Sequence, residues 1–233
     1  VIMDFIRTNW EKVRERVARA AQRAGRNPEE IQIVAVSKTV PPERIRAAVE
    51  AGVEHIGENR VQEAWQKYQE LGDLATWHMV GHLQTNKVKR ALQIFQVIHS
   101  VDSLHLAQEI EKRCTQMGRE VEVLVEVKTS DEPTKFGVAP EDTPGLVAAI
   151  ADMPHLRLTG LMTIGKFTDD EQEVRACFRT LAALLERINR EKIYPEPLRH
   201  LSMGMSSDFE WAIEEGATIV RIGTAIFGPR IDH

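Results

Sequence analysis

The sequence predicts an α/β fold: a (β/α)8 TIM barrel in a single domain of residues 1–233, with an extra N-terminal helix over about 4–24 and the barrel over about 30–228. Strand-like apolar runs alternate with helical stretches through eight units. The mean unit is about 26 residues, near the spacing of a barrel of ~250 residues. No linker, low-complexity segment or shift of composition divides the chain. The competing fold is an open doubly wound sheet, which is weaker because no Gly-x-Gly-x-x-Gly follows the first strand.

Taken in order, residues 4–24 place Phe5, Ile6, Val13, Val17, Ala20, Ala21 and Ala24 among arginines, an amphipathic helix closed by Gly25 and followed by Asn27-Pro28. Ile31 to Lys38 reads as a strand buried on both faces, and Pro41-Pro42 opens a helix running to Ala51. His55–Glu58, Trp77–Gly81, Phe95–Val101, Val121–Val127, Leu156–Met162, His200–Met203 and Thr218–Ile222 supply the other strands. The helices between them are expected over 59–71, 85–93, 103–117, 141–151, 169–191 and 208–215. The helix over 103–117, with Leu104, Leu106, Ala107, Ile110 and Cys114, is expected to pack outside the barrel.

With 42% hydrophobic and 28% charged residues, the composition suits one sizeable core. A net charge of -5 and a pI near 5.9 advertise no nucleic-acid surface. Cys114 and Cys177 lie far apart and read as two reduced thiols of a cytoplasmic protein. No apolar run approaches the ~18 residues that span a bilayer. No histidine–carboxylate spacing reads as a metal site. A monomer is expected.

In a barrel the carboxyl ends of all strands meet at one mouth. Lys38 stands at the end of the first strand, where the ordinary alternative is a solvated tip. Ser206 follows the seventh strand, and Arg221, Gly223 and Thr224 belong to the eighth and its loop, where barrels often hold a phosphate. Gly223 would let backbone approach closely, while Ser206 and Thr224 offer hydroxyls. Ser207 with Glu210 also fits a capping box, and Asp208 and Glu210 are expected to turn away from an anion. An amine facing a phosphate cradle suggests a phosphorylated aldehyde, and pyridoxal 5'-phosphate fits. A neutral Lys38 amine is then required, by desolvation or a neighbouring cation. Arg221 would meet the pyridine nitrogen as a pure donor, or else pair with a carboxylate inside the mouth. His78 and His82 read first as structural histidines, with a proton-carrying role near the cofactor as the other possibility.

The chain resembles the pyridoxal phosphate homeostasis protein family, barrel relatives of the alanine racemase N-terminal domain. The resemblance covers about 30–228 and rests on Val36-Ser37-Lys38-Thr39, Gly57-Glu58-Asn59-Arg60-Val61-Gln62-Glu63 and Trp77-His78-Met79-Val80-Gly81-His82-Leu83-Gln84-Thr85-Asn86-Lys87. It continues through His99-Ser100-Val101-Asp102, Gly160-Leu161-Met162-Thr163, Leu201-Ser202-Met203-Gly204-Met205-Ser206-Ser207-Asp208 and Arg221-Ile222-Gly223-Thr224-Ala225-Ile226-Phe227-Gly228. It implies that Lys38 carries the cofactor as an internal aldimine, that Ser206, Gly223 and Thr224 hold the phosphate, and that Arg221 meets the ring nitrogen. Asn59 and Met203 are implied as neighbours. Two departures stand out: Arg60 replaces a frequent aromatic residue, and the segment from Lys128 to Gly137 is poorer in glycine and serine.

The expected role is intracellular pyridoxal phosphate homeostasis, as a carrier or buffer without catalytic turnover, with apo pyridoxal phosphate enzymes as recipients. The alternative is a racemase-like enzyme. Racemisation needs an acid/base group on each face of the α-carbon. Tyr68 and Tyr194 do not fall at strand ends, and the chain stops soon after Gly228, so a second domain supplying such a group is not expected. A lysine aldolase acting on a sugar phosphate is a third reading, disfavoured because such a lysine usually sits on a later strand.

Overall fold

Eight parallel strands close on themselves in chain order, as the alternating pattern predicts. They are β1 (Gln32–Val36), β2 (His55–Glu58), β3 (Thr76–Met79), β4 (Val97–Val101), β5 (Val121–Glu126), β6 (Leu156–Met162), β7 (His200–Ser202) and β8 (Ile219–Ile222). The computed structural model describes residues 2–133 and 136–229. Closure is made by β1 against β8, with Val34 opposite Arg221 and Ala35 opposite Ile222. Around the sheet run α1 (Ile2–Arg23), α2 (Pro42–Ala51), α3 (Val61–Leu71), α4 (Val88–Ala91), α5 (Leu104–Met117), α6 (Thr143–Ala151), α7 (Glu171–Arg190), α8 (Phe209–Glu214) and α9 (Thr224–Phe227).

Strand side chains alternate between two environments, as the pleat requires. Ala35, Ile56, Met79, Ile98, Val123, Leu161, Leu201 and Val220 join the helices in the main core. Val34, Val80, Val97, Leu124, Met162 and Ile219 form a second cluster, the barrel's interior. Gly57 makes that cluster possible, since a Cβ there would lie 2.8 Å from Val34 Cγ1. The interior is not wholly apolar. His78, His99 and Arg221 lie two residues from Val80, Val97 and Ile219 of that cluster, Ser202 is bonded to both His99 and Arg221, and all four are buried.

The extra helix α1 packs against α2, α8 and α9. Its buried face is Ile6, Trp10, Val13, Val17, Ala20 and Ala21. Trp10 replaces Phe5, expected on that face, which is 48% exposed. Gly25 ends the helix at φ 68°, and Arg26 then donates 2.8 Å bonds to the carbonyls of Ile213 and Ala217. The helix expected over 85–93 is shorter: a 3-10 turn over Thr85–Lys87 leads into the single turn of α4. The predicted Ser207–Glu210 capping box does not form. The α8 helix begins at Phe209, Asp208 accepts from the Met205 N–H at 2.7 Å, and Glu210 reaches Arg16 on α1 at 2.7 Å. Among the described residues, no helix is long and apolar enough to cross a membrane.

Candidate cofactor site

The site is built from two stretches of the mouth wall, at the carboxyl ends of the neighbouring strands β1 and β8. On the first, Lys38 follows β1 and is half-buried. The backbone on either side of it is gripped by a charged network from β2 and α3. Lys67, buried on α3, donates to the Ser37 carbonyl at 2.6 Å and to Glu58 at 2.9 Å. It also bonds Glu63 one helical turn away at 2.7 Å. The Ser37 hydroxyl donates to Glu58, and Glu63 accepts the Thr39 N–H at 2.7 Å. Thr39 needs that grip, because its φ of 62° is unusual for a β-branched residue. Burial pushes the Glu58 carboxyl above its ordinary range, against the opposing pull of Lys67 and the Ser37 hydroxyl. Burial also acts on Glu63, but bonds from Lys67 and the Thr39 amide outweigh it and hold that carboxyl low.

The second wall holds Arg221. Its Nη1 donates to Ser202 Oγ at 2.7 Å and its Nη2 to the Thr163 carbonyl at 2.9 Å. Burial lowers its pKa to about 10, with Glu126 and Asp208 pulling the other way, so it remains a cation at neutral pH. These two bonds go to a hydroxyl and a carbonyl, and the charges of Glu126 and Asp208 also act on the guanidinium.

At the mouth lies a cavity of about 310 Å³, within the range of small-ligand sites. Val36, Val80, Ile164 and Met205 give it apolar surface. Asn59, Ser206, Ser207, Arg221, Gly223 and Thr224 give it donors and acceptors. Lys38 lines an adjoining crevice that shares Val36, Gly223 and Thr224 with the cavity. Of the seven predicted cofactor residues, Asn59, Ser206, Arg221, Gly223 and Thr224 line the cavity, and Lys38 lines the adjoining crevice. Met203 lies elsewhere, fully buried in the main core. Its neighbour Gly204 explains the bend there. At φ 102°, with a hypothetical Cβ 2.6 Å from Ala212 Cβ, it lets the loop fold onto α8 and turn Met205 and Ser206 to the mouth. Ser206 Oγ accepts from the amides of Gly223 at 3.2 Å and Ala225 at 3.4 Å, joining the loops after β7 and β8.

This donor set suits an anionic, flat, mostly apolar molecule. One buried cation, one amide side chain and three loop hydroxyls line it beside aliphatic surface. Among the described residues no cluster of histidine, cysteine and carboxylate groups could hold a metal ion.

The chain matches the family profile "Alanine racemase, N-terminal domain" over residues 6–230. It is 47% identical over 220 residues to the "Pyridoxal phosphate homeostasis protein" of Aquifex aeolicus, covering 94% of this chain and 96% of that one. It is 44% identical to the protein of the same name from Pseudomonas aeruginosa, with 98% and 97% covered. The chain belongs to the pyridoxal phosphate homeostasis protein family. Among solved structures, this homeostasis-family barrel superposes on PipY of Synechococcus elongatus "with PLP bound", with TM-score 0.81, 36% identity, and 91% and 100% of the two chains covered. It also superposes on alanine racemase of Clostridium difficile with TM-score 0.77 at 16% identity, a likeness of fold, spanning 57% of that longer chain.

Sequence reasoning left several residues that surround this candidate site unnoticed. Lys67 was one, although Glu63 and Lys67 stand four apart on one helix face. His99 and Ser202 were others. For His99 the signal was a polar residue two places from Val97 on a strand otherwise rich in valine and isoleucine; Ser202, on the short strand His200–Ser202, carried no such pattern. In the unusual segment after β5, Thr134 and Lys135 lie outside the described residues. The nearby Phe136 stacks on His82 with ring centroids 3.8 Å apart, and the His82 ring is held there against an aromatic face. Arg60 is exposed before α3, with its backbone at the helix N-cap.

Proposed function

We propose that this protein binds pyridoxal 5'-phosphate reversibly at the barrel mouth, attached through Lys38, and serves as a cytoplasmic, monomeric carrier that buffers the cofactor and passes it to apo enzymes. One observation carries the reading: the crevice lined by Lys38 adjoins a cavity lined by loop hydroxyls and the buried Arg221, the two sharing Val36, Gly223 and Thr224. The names of the relatives, and the PipY structure titled as holding PLP, support it. When bound, the cofactor supplies an aldehyde that condenses with amines and a ring that withdraws electrons.

The chain's own residues account for the rest. The network of Glu58, Glu63 and Lys67 fixes the turn that presents Lys38. Ser206, Gly223 and Thr224 would receive the phosphate. The bonds from the Gly223 and Ala225 amides to Ser206 are long, so those amides can turn to a stronger, charged acceptor. Arg221 can only donate, which suits an unprotonated pyridine nitrogen. Asn59, after β2, lines the same cavity as Arg221.

Carriage is favoured over turnover by where the tyrosines lie. Tyr68 donates to Asp73 beside α3, and the Tyr194 hydroxyl accepts the Leu158 N–H. Neither lines the cavity to act as the second acid/base group that racemisation needs. Borohydride reduction after mixing with pyridoxal 5'-phosphate should leave a phosphopyridoxyl group on Lys38, and Lys38→Ala should remain unlabelled. Label on another lysine, or none, overturns the site. Conversion of L-alanine to D-alanine that disappears in Lys38→Ala would establish the racemase reading instead.

A further inference from the structure

Four side-chain hydrogen bonds join in series across the barrel interior. His55 Nδ1 meets His78 Nε2 at 3.0 Å, and His78 Nδ1 meets His99 Nε2 at 2.9 Å. His99 Nδ1 meets Ser202 Oγ at 2.9 Å, and Arg221 Nη1 donates to the same oxygen at 2.7 Å. The series starts at the first residue of β2, on the barrel's base, and ends on a guanidinium that lines the mouth cavity.

The direction of every bond follows from Arg221. A neutral imidazole carries one N–H and one acceptor nitrogen, so each link dictates the next. Arg221 only donates, so Ser202 accepts from it. The Ser202 hydroxyl hydrogen then needs an acceptor, and among the described hydrogen bonds His99 Nδ1 is its one partner able to accept. His99 must therefore carry its hydrogen on Nε2 and give it to His78 Nδ1. His78 in turn donates from Nε2 to His55 Nδ1. His55 keeps its own Nε2–H, on a half-buried side chain that lines an open hollow at the base. The reverse polarity would send two hydrogens into Ser202 Oγ and leave its buried hydroxyl hydrogen unaccepted, a cost of about 1–3 kcal/mol. Both inner rings are neutral, as this requires. Burial, aided by the neighbouring histidines, lowers His78 to about 3 and His99 in the same direction.

We propose that His78, His99 and Ser202 are positioning residues for Arg221, forming a one-way imidazole chain in the Nε2–H tautomer that turns the Ser202 hydroxyl hydrogen away and presents its lone pair to the guanidinium. The chain connects the base of the barrel to the cofactor wall through hydrogen-bond polarity alone. Its functional half rests on the reading of Arg221 as a cofactor contact.

The test begins on the cofactor-free wild-type chain, labelled with 15N-histidine, by long-range 1H–15N correlation. His55, His78 and His99 should all show the Nε2–H pattern. An Nδ1–H pattern at His78 or His99 overturns the proposal. In Ser202→Ala, His99 loses the donor that sets the direction, so His99 and His78 should become mixtures of both tautomers. Ser202→Thr keeps the hydroxyl and should restore the single pattern. Affinity for pyridoxal 5'-phosphate should fall about tenfold in Ser202→Ala, in keeping with loss of one charge-assisted bond, and remain within about twofold in Ser202→Thr. Unchanged affinity in Ser202→Ala overturns the positioning role. Loss of the tautomer series with cofactor binding intact overturns the chain and spares the site. An intact series in a chain that binds no cofactor overturns the positioning role together with the site.

Discussion

The two walls of the mouth hold their key side chains by opposite means. Behind Lys38 stands a charged network, Glu58, Lys67 and Glu63, which acts on backbone. Behind Arg221 stands a neutral one, three imidazoles and a hydroxyl, which acts on a side chain. The difference follows from what each must restrain. Lys38 follows a strand and leads into a turn with a residue at positive φ, so the main chain itself needs anchoring, and ions give strong bonds to amides and carbonyls. Arg221 already carries a buried charge. Neutral imidazoles hold Ser202, and through it the guanidinium, without adding to the charges of Glu126 and Asp208 that already act on Arg221.

Breaking the charged wall should have the largest effect. Lys67→Met leaves two carboxylates facing each other, one of them fully buried, and should cost about 3–5 kcal/mol in urea unfolding. Adding Glu58→Gln should recover a measurable part of that loss. A single-variant cost below about 1 kcal/mol would show that the network does not anchor the turn.

Acid should expose the neutral wall next. His78 has a folded pKa of about 3 against 6.5 ordinarily, and His99 is shifted the same way. Between those values the unfolded chain binds protons that the folded chain refuses, so stability falls as pH drops below 6.5. Each such histidine contributes about 1.4 kcal/mol per pH unit in that window. On the charged wall, Glu58 is raised and Glu63 lowered, so their contributions oppose one another as pH falls through the carboxylate range. Unfolding measured from pH 6.5 to 5 should therefore steepen with histidine protonation, and His78→Gln should flatten the slope by about one proton. An unchanged slope in that variant would contradict the neutral, buried ring.

Smaller effects sharpen the contrast. Thr39→Gly removes a β-branched residue from φ 62° and should stabilise by up to about 1 kcal/mol, read from thermal unfolding. Destabilisation would show that the Thr39 hydroxyl bond to the Lys38 carbonyl outweighs the strain. At the periphery, Glu210→Gln breaks a part-exposed pair with Arg16 and should change stability by less than about 1 kcal/mol.

The same two walls show what the sequence could reveal. The eight alternating units made the barrel legible, because strand and helix periods are local. Lys38 was legible as the end of a buried run, and Ser206, Gly223 and Thr224 as loop residues after the last two strands. The charged wall was half visible, since Glu58, Glu63 and Lys67 fall within one strand–helix unit. The imidazole chain was not, because His55, His78, His99 and Ser202 come from four strands and meet only when the barrel closes. Met203 shows a similar limit: it adjoins the loop in sequence, while its side chain packs in the main core. Ser207 and Glu210 have capping-box spacing, yet α1, which lies far away in the chain, draws Glu210 to Arg16.

A crystal structure of the wild-type protein soaked with pyridoxal 5'-phosphate tests the two walls most directly. It should show the phosphate among Ser206, Gly223 and Thr224, the ring nitrogen at Arg221, and density joining the cofactor to Lys38 Nζ. A cofactor seated with its phosphate away from the loops after β7 and β8, or bonded to a different lysine, would contradict the account.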